Sequence, residues 1–208
     1  MKKFLFGLAL SILLTLSSYA AVPALDNARE SQYQIRQSVI TARSQCSATA
    51  IGPHALLTAS HCELPTDELE IHYLGVATIV ARIRDGRDHT IYLLKDAEFK
   101  TWAPVDLAVP TQGEDVYFFG NPADLQLIYR KGYLSGQMSY NDTTIMLYVM
   151  SDWNGDSGAA IYSVTTNRIL GVVSCIIPIS ETLKFTGAFS FAFTKAQIEQ
   201  AQKFGDAQ

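Results

Sequence analysis

The chain has 208 residues and a formal charge of −4, and 48% of its residues are apolar, enough to bury a sizeable core. Its lysines and arginines form no basic run or stripe, which argues against a nucleic-acid partner. No Cys/His cluster has metal-ligand spacing and no acidic cluster makes a calcium loop, so neither a metal nor a cofactor is expected.

The chain opens with Lys2 and Lys3, an apolar run over residues 4–16, and small residues at Ser18 and Ala20. That is the layout of a secretory signal peptide over residues 1–20, cut after Ala20, and it predicts a periplasmic or secreted protein. The apolar run is short against the roughly 20 residues that cross a bilayer, so no membrane anchor is expected to persist after cleavage. Residues 21–208 suit one domain, expected as a monomer. Residues 26–37, DNARESQYQIRQ, are polar and read as an N-terminal arm.

Short β-segments follow. CSATAI and ALLTAS flank Gly52-Pro53-His54, a hairpin signal. Then come EIHYLGVATIVARI and TIYLL, and the Pro-marked stretch over residues 101–115 reads as a link between two halves. Beyond it lie VYFFG, LQLIYRKGYLSG, TTIMLYVM, AAIYSV, ILGVVSCII and GAFSFAF. Many short strands rich in Val, Ile, Tyr and Phe argue a barrel or a sandwich. Only the end reads as a helix: Thr194 and Gln197 fit a capping box, and Ile198, Ala201 and Phe204 fall on one face.

Cys46, Cys62 and Cys175 remain after export, and an exported protein sits where disulfides persist. Cys46 with Cys62 is the preferred pair, because a strand-turn-strand between them returns the chain to its start. Cys175, inside an apolar run, reads as a buried free thiol.

Two short motifs carry chemistry. Ser157 sits in Gly155-Asp156-Ser157-Gly158, which alone is also a natural turn sequence. His61 ends an apolar strand in TASHC, where the neighbouring cysteine anchors an imidazole able to act near neutral pH. His54 and His72 have duller explanations in a turn and an alternating strand, and His89 lacks the Ala-Ser-His-Cys setting.

TASHC, GDSG and the downstream GVVSC, in that order on an all-β sequence, resemble the trypsin-like (chymotrypsin-fold) serine proteases. FFGNP and GYLSG resemble a stretch in the family's bacterial branch, and the likeness spans roughly residues 35–204. It implies two packed antiparallel six-stranded β-barrels, over about 35–105 and 112–193, closed by a C-terminal α-helix over about 195–204. It also implies a bracketing Cys46–Cys62 disulfide, Ser157 as nucleophile and His61 as general base. The backbone N–H groups of Gly155 and Ser157 would form the oxyanion hole. Asp156, beside the nucleophile, would order the loop through a buried salt bridge or hydrogen bond.

The triad acid departs from the family pattern. The family places it directly before an apolar strand, whereas this chain reads RDGRDHTIYLL, with Thr90 before the strand. Asp88 is the preferred acid and Asp85 the alternative, and both could be turn residues in solvent. For the substrate site, the resemblance places Ser151 at the pocket floor and Ser174 where its main chain pairs with the bound peptide, with Cys175 and Ile176 replacing the usual Trp-Gly pair, whose glycine lines the pocket. Ser151 carries no charge and Ile176 is bulky, which points to small side chains before the scissile bond, with Asp152 as a rival anionic determinant. Activation stays open: the terminus at Ala21 could insert toward Asp156, or the protein could fold active without that switch.

The sequence thus predicts an exported serine endopeptidase acting on proteins or peptides through an acyl-enzyme. The alternative is a catalytically weak or inactive protein-binding member of the same fold.

Overall fold

Strand β1, Gln32–Val39, pairs with β2, Ala42–Gly52, on one side and with β4, Glu68–Ile71, on the other, and so closes a barrel. The arrangement comes from a computed structural model of the chain, which describes residues 23–39, 42–123 and 125–205. The signal peptide expected over residues 1–20 lies outside the described residues. The barrel order is β1-β2-β3-β6-β5-β4, with β3 at Ala55–Thr58, β5 at Gly75–Arg84 and β6 at Thr90–Leu94.

Residues 26–37 are therefore no free arm. They end helix α1, Pro23–Glu30, and supply most of β1. The apolar run EIHYLGVATIVARI divides into β4, a turn and β5. Period-2 burial of Ala77 and Ile79, with Val76 and Val80 exposed, sets one face of β5 toward the barrel interior.

The second half is a curled seven-stranded sheet in the order β11-β10-β7-β8-β9-β13-β12. Its strands are β7 (Asp115–Gly120), β8 (Ile128–Tyr140), β9 (Thr143–Val149), β10 (Ala160–Ser163), β11 (Ile169–Val172), β12 (Cys175–Pro178) and β13 (Lys184–Phe189). The sequence motifs imply six strands in each half. The extra strand arises because ILGVVSCII splits into β11 and β12, which lie at opposite edges of the sheet. The break falls at Val173-Ser174, where Ser174 N–H turns to the carbonyl of Gly187.

One hydrophobic core runs from the first barrel into the second half. It gathers Leu56, Leu57, Ile91 and Leu94 with Tyr117, Tyr162 and Val172, and a smaller core around Phe118, Leu134, Tyr148 and Ile161 belongs to the second sheet. Helix α2, Lys195–Gln202, starts at the expected capping box, with Thr194 Oγ1 accepting from Gln197 N–H. It buries Ile198 and Ala201 and lies so close to β2 that a Cβ on Gly52 would stand 2.8 Å from the Gln202 Cα.

Candidate active site

His61 owes its position to the strand before it. β3, Ala-Leu-Leu-Thr, is buried throughout and delivers the chain into a 3-10 turn at Ser60–Cys62. Cys62 is buried and bonded to Cys46 of β2, so the turn is pinned covalently across the barrel wall. The His61 ring stays accessible, its side chain 45% exposed, while Asp88 behind it is 16% exposed. Nδ1 of His61 lies 2.9 Å from Oδ2 and 3.1 Å from Oδ1 of Asp88, and the His61 backbone N–H donates to Oδ1 at 2.9 Å. Nδ1 facing a carboxylate carries the ring proton, which leaves Nε2 as the basic nitrogen.

Between the two acid candidates the geometry therefore distinguishes clearly. Asp88 meets His61, although β6 does start at Thr90, two residues further on. Asp85 turns the other way and meets His89 Nδ1 at 2.7 Å.

Ser157 reaches the same region from the second half. Its carbonyl accepts from the Ser47 N–H at 2.8 Å and lies 4.0 Å from the Cys62 sulfur. Gly158 follows with φ +83°, where a Cβ would stand 2.2 Å from the Ser47 carbonyl and 2.3 Å from the Thr58 hydroxyl. Only glycine allows this approach, so the turn bearing Ser157 is pressed against the strands that present His61. Among the described residues, no hydrogen bond joins the Ser157 hydroxyl to the His61 ring.

Gly155 has φ +101° and its carbonyl accepts from Ser47 Oγ at 2.9 Å. Among the described residues, neither the Gly155 nor the Ser157 N–H donates within the protein. Asp156 between them is wholly buried, takes Arg130 Nη1 on Oδ1 at 3.1 Å and the Trp153 N–H on Oδ2 at 2.7 Å. Burial pushes its carboxyl above the ordinary value, against the pull of the Arg130 charge and the Trp153 N–H. Arg130 sits in β8 beside Lys131 and stacks over Phe118, and no motif in the sequence marks it.

A cavity of about 210 Å³ opens beside Ser157, lined by Asp152, Trp153, Asn154, Val173, Ser174, Cys175 and Ile176. Ser174, Cys175 and Ile176, singled out in the sequence for the substrate site, are among these residues. Ser151 is exposed and is not among the lining residues, and Asp152 occupies the wall instead. Burial, with the nearby Asp156 charge, raises the Asp152 carboxyl to about 6. The Cys175 thiol is raised as well, first by burial and then by the charges of Asp88 and Asp152. The sulfurs of Cys46 and Cys62 and one ring nitrogen of His61 lie within 4.8 Å of one another, but sulfurs bonded as a disulfide are not thiolate ligands.

The barrel and the curled sheet meeting at this cluster define a chymotrypsin-like fold of the serine proteases. Solved structures agree: the Rv3671c protease of M. tuberculosis in its active form superposes with a TM-score of 0.67 at 15% identity, covering 86% of this chain and 82% of that one. Its inactive form gives 0.63 at 16% identity, covering 86% and 90%. A serine endoprotease from Yersinia pestis gives 0.66 at 18% identity, covering 88% and 66%. No curated protein matches in sequence. The model of the trypsin-like peptidase domain matches residues 46–172, a stretch holding His61, Asp88 and Ser157. The chain belongs to the trypsin-like peptidase family.

Proposed function

We propose that the protein is an exported serine endopeptidase that cuts protein or peptide substrates through Ser157, His61 and Asp88. The observation that carries this reading is the grip of Asp88 on His61 through both Nδ1 and the backbone N–H, beside the turn that presents Ser157. Ser157 Oγ attacks the carbonyl carbon while its proton passes to His61 Nε2. The oxyanion of the tetrahedral intermediate accepts from the Gly155 and Ser157 N–H groups. A donor of this kind is typically worth about 2.7–4 kcal/mol of transition-state stabilisation. Collapse of the intermediate breaks the C–N bond, and His61 protonates the leaving amine. Water then attacks the acyl-enzyme, giving its proton to His61, and the acid departs as Ser157 recovers its hydrogen. The basic-then-apolar leader over residues 1–20 supports export.

A fluorophosphonate probe labels Ser157 in this reading, and Ser157→Ala abolishes both labelling and proteolysis. Retained proteolysis in the alanine variant overturns it. The missing Ser157–His61 hydrogen bond favours one second reading, a protein-binding member of the family with little activity. In the enzyme reading that bond forms when substrate binds, as catalytic hydrogen bonds that are long in free enzymes do. Folded protein that the probe leaves unlabelled decides for the binder.

A further inference from the structure

Asp88 occupies the β5–β6 hairpin loop, residues 85–89, closed by the pairing of Arg84 with Thr90. It precedes its strand by two residues, and its carbonyl accepts from the Ser60 N–H at 3.2 Å on the side facing β3. The other carboxylate of the loop is held from the second half of the molecule as well as from within the loop. Asp85, its side chain wholly buried, accepts from His89 Nδ1 at 2.7 Å, the Ala192 N–H at 2.9 Å and the Arg87 N–H at 2.9 Å. Burial pushes its carboxyl up, but the His89 hydrogen bond and charge, with the two N–H groups, outweigh that and leave it below its ordinary value. The His89 ring is also fully buried, with Phe191 at 4.7 Å and Phe193 at 6.1 Å between centroids. Arg87 reaches the carbonyl and hydroxyl of Ser190.

We propose that the Asp85–His89 pair is a positioning device for Asp88, clamping the acid-bearing loop to residues 190–193 of the other half of the molecule. The inference rests on the protease reading above. Asp88 and Asp85 face opposite ways from one five-residue loop. A loop that short transmits rotation about its anchored end to Asp88, and through Asp88 to the His61 ring. Residues 190–193 follow β13, the partner of β12 along the substrate cavity. The acid and the substrate wall thus share one support. A buried histidine also fits this duty better than an aliphatic residue, because its Nδ1–H gives the Asp85 carboxylate a directed partner. Among the described residues His89 Nε2 has none, so one nitrogen is committed to Asp85 and the ring to its aromatic walls.

Asp85→Asn and His89→Gln test the clamp in the full-length protein. The amide that Asp85→Asn introduces cannot accept at both oxygen positions, so one of the three donors is lost. The expected result is a fall in kcat of about 10- to 100-fold with KM little changed, the range a small misplacement of a catalytic group produces. The downfield proton resonance of the His61–Asp88 hydrogen bond should shift or broaden in parallel. Ile198→Ala, a buried lesion in α2, serves as a control for destabilisation and should leave both readouts unchanged. Wild-type kcat and an unmoved resonance in folded variants overturn the proposal, as does failure of both variants to fold, which makes the pair a prop of the fold only. Wild-type protein that the fluorophosphonate does not label defeats the protease reading instead, and the resonance still reports the clamp.

Discussion

Arg130 donates to the buried carboxylate of Asp156 at 3.1 Å, so the turn before Ser157 is tied by a side chain from β8. Arg130 is 14% exposed and Asp156 not at all, so each is the other's main compensation for lost water. Both Asp156 oxygens are engaged, Oδ2 by the Trp153 N–H, and this leaves the carboxylate no need of an inserted amino terminus. Arg130→Met strands the charge and should cost about 3–5 kcal/mol in chemical denaturation. Arg130→Met with Asp156→Asn should recover part of that loss. Acetylating the amino terminus of the chain prepared from Ala21, where the signal-peptide reading puts the cut, should leave activity unchanged; a loss on acetylation would mean that the terminus, not Arg130, sets the turn.

Asp88→Asn attacks a different variable, the tautomer of His61. Oδ1 of Asp88 receives the His61 backbone N–H, and Oδ2 is the nearer partner of Nδ1. In the variant the amide oxygen must stay on the backbone donor, so the NH₂ group faces the ring. The ring then accepts at Nδ1 and carries its proton on Nε2, where it cannot take one from Ser157. A fall in kcat of about 10⁴-fold is expected with substrate binding retained. Steady-state kinetics with any cleaved peptide measures it. A drop under tenfold would show that Asp88 does not set the tautomer.

Much of the site was legible because short motifs imposed backbone geometry. Gly155 and Gly158 take positive φ around Ser157, and Thr194 and Gln197 cap α2 where their spacing says. β1 was hidden because its buried side chains, Ile35 apart, are amides. Gln32 accepts from Thr49 Oγ1, Gln34 donates to the Ala123 carbonyl, and Gln37 accepts from the Leu64 N–H. Hydrogen bonding made burial tolerable for these residues, so hydropathy read the segment as surface. The β11–β12 break failed for the opposite reason: both pieces are apolar, and hydrophobicity does not say which edge of a sheet a strand joins. Asp85 could be read as a turn residue in solvent and His89 only as a histidine without the Ala-Ser-His-Cys setting, since nothing local reveals that residues 190–193 cover them.

Asp152 gives the molecule a pH dependence with a definite sign. Its carboxyl is raised from 3.8 to about 6, first by burial and then by the charge of Asp156. The folded state therefore holds the proton more tightly than the unfolded state. Stability is highest in this respect below about pH 4, falls as the pH climbs toward 6, and stays lower above that. Asp152→Asn removes the penalty, so the variant should melt higher than the parent at pH 7 and match it at pH 4. Because the group lines an open cavity, water screens part of the effect and the gain will be small. A variant that melts lower at pH 7 would mean the ionised carboxylate is satisfied by partners in the cavity wall.

The Cys46–Cys62 bond ties β2 to the turn that carries His61. It closes a separation of 16 residues, and in the chain-entropy account a loop of that length is worth about 3 kcal/mol. Cys46→Ser with Cys62→Ser should therefore lower the melting temperature by roughly 6–12 °C for a domain of this size. The catalytic loss should exceed what that destabilisation explains. Cys62 adjoins His61, and its sulfur lies against the Ser157 carbonyl, so freeing it loosens His61 and Ser157 together. Measured well below the melting transition, where both forms are folded, kcat of the serine variant should still be depressed while KM changes little. Equal kcat at that temperature would confine the disulfide to holding the barrel together, with Asp88 and the Ser47–Ser157 hydrogen bond sufficient to align the site.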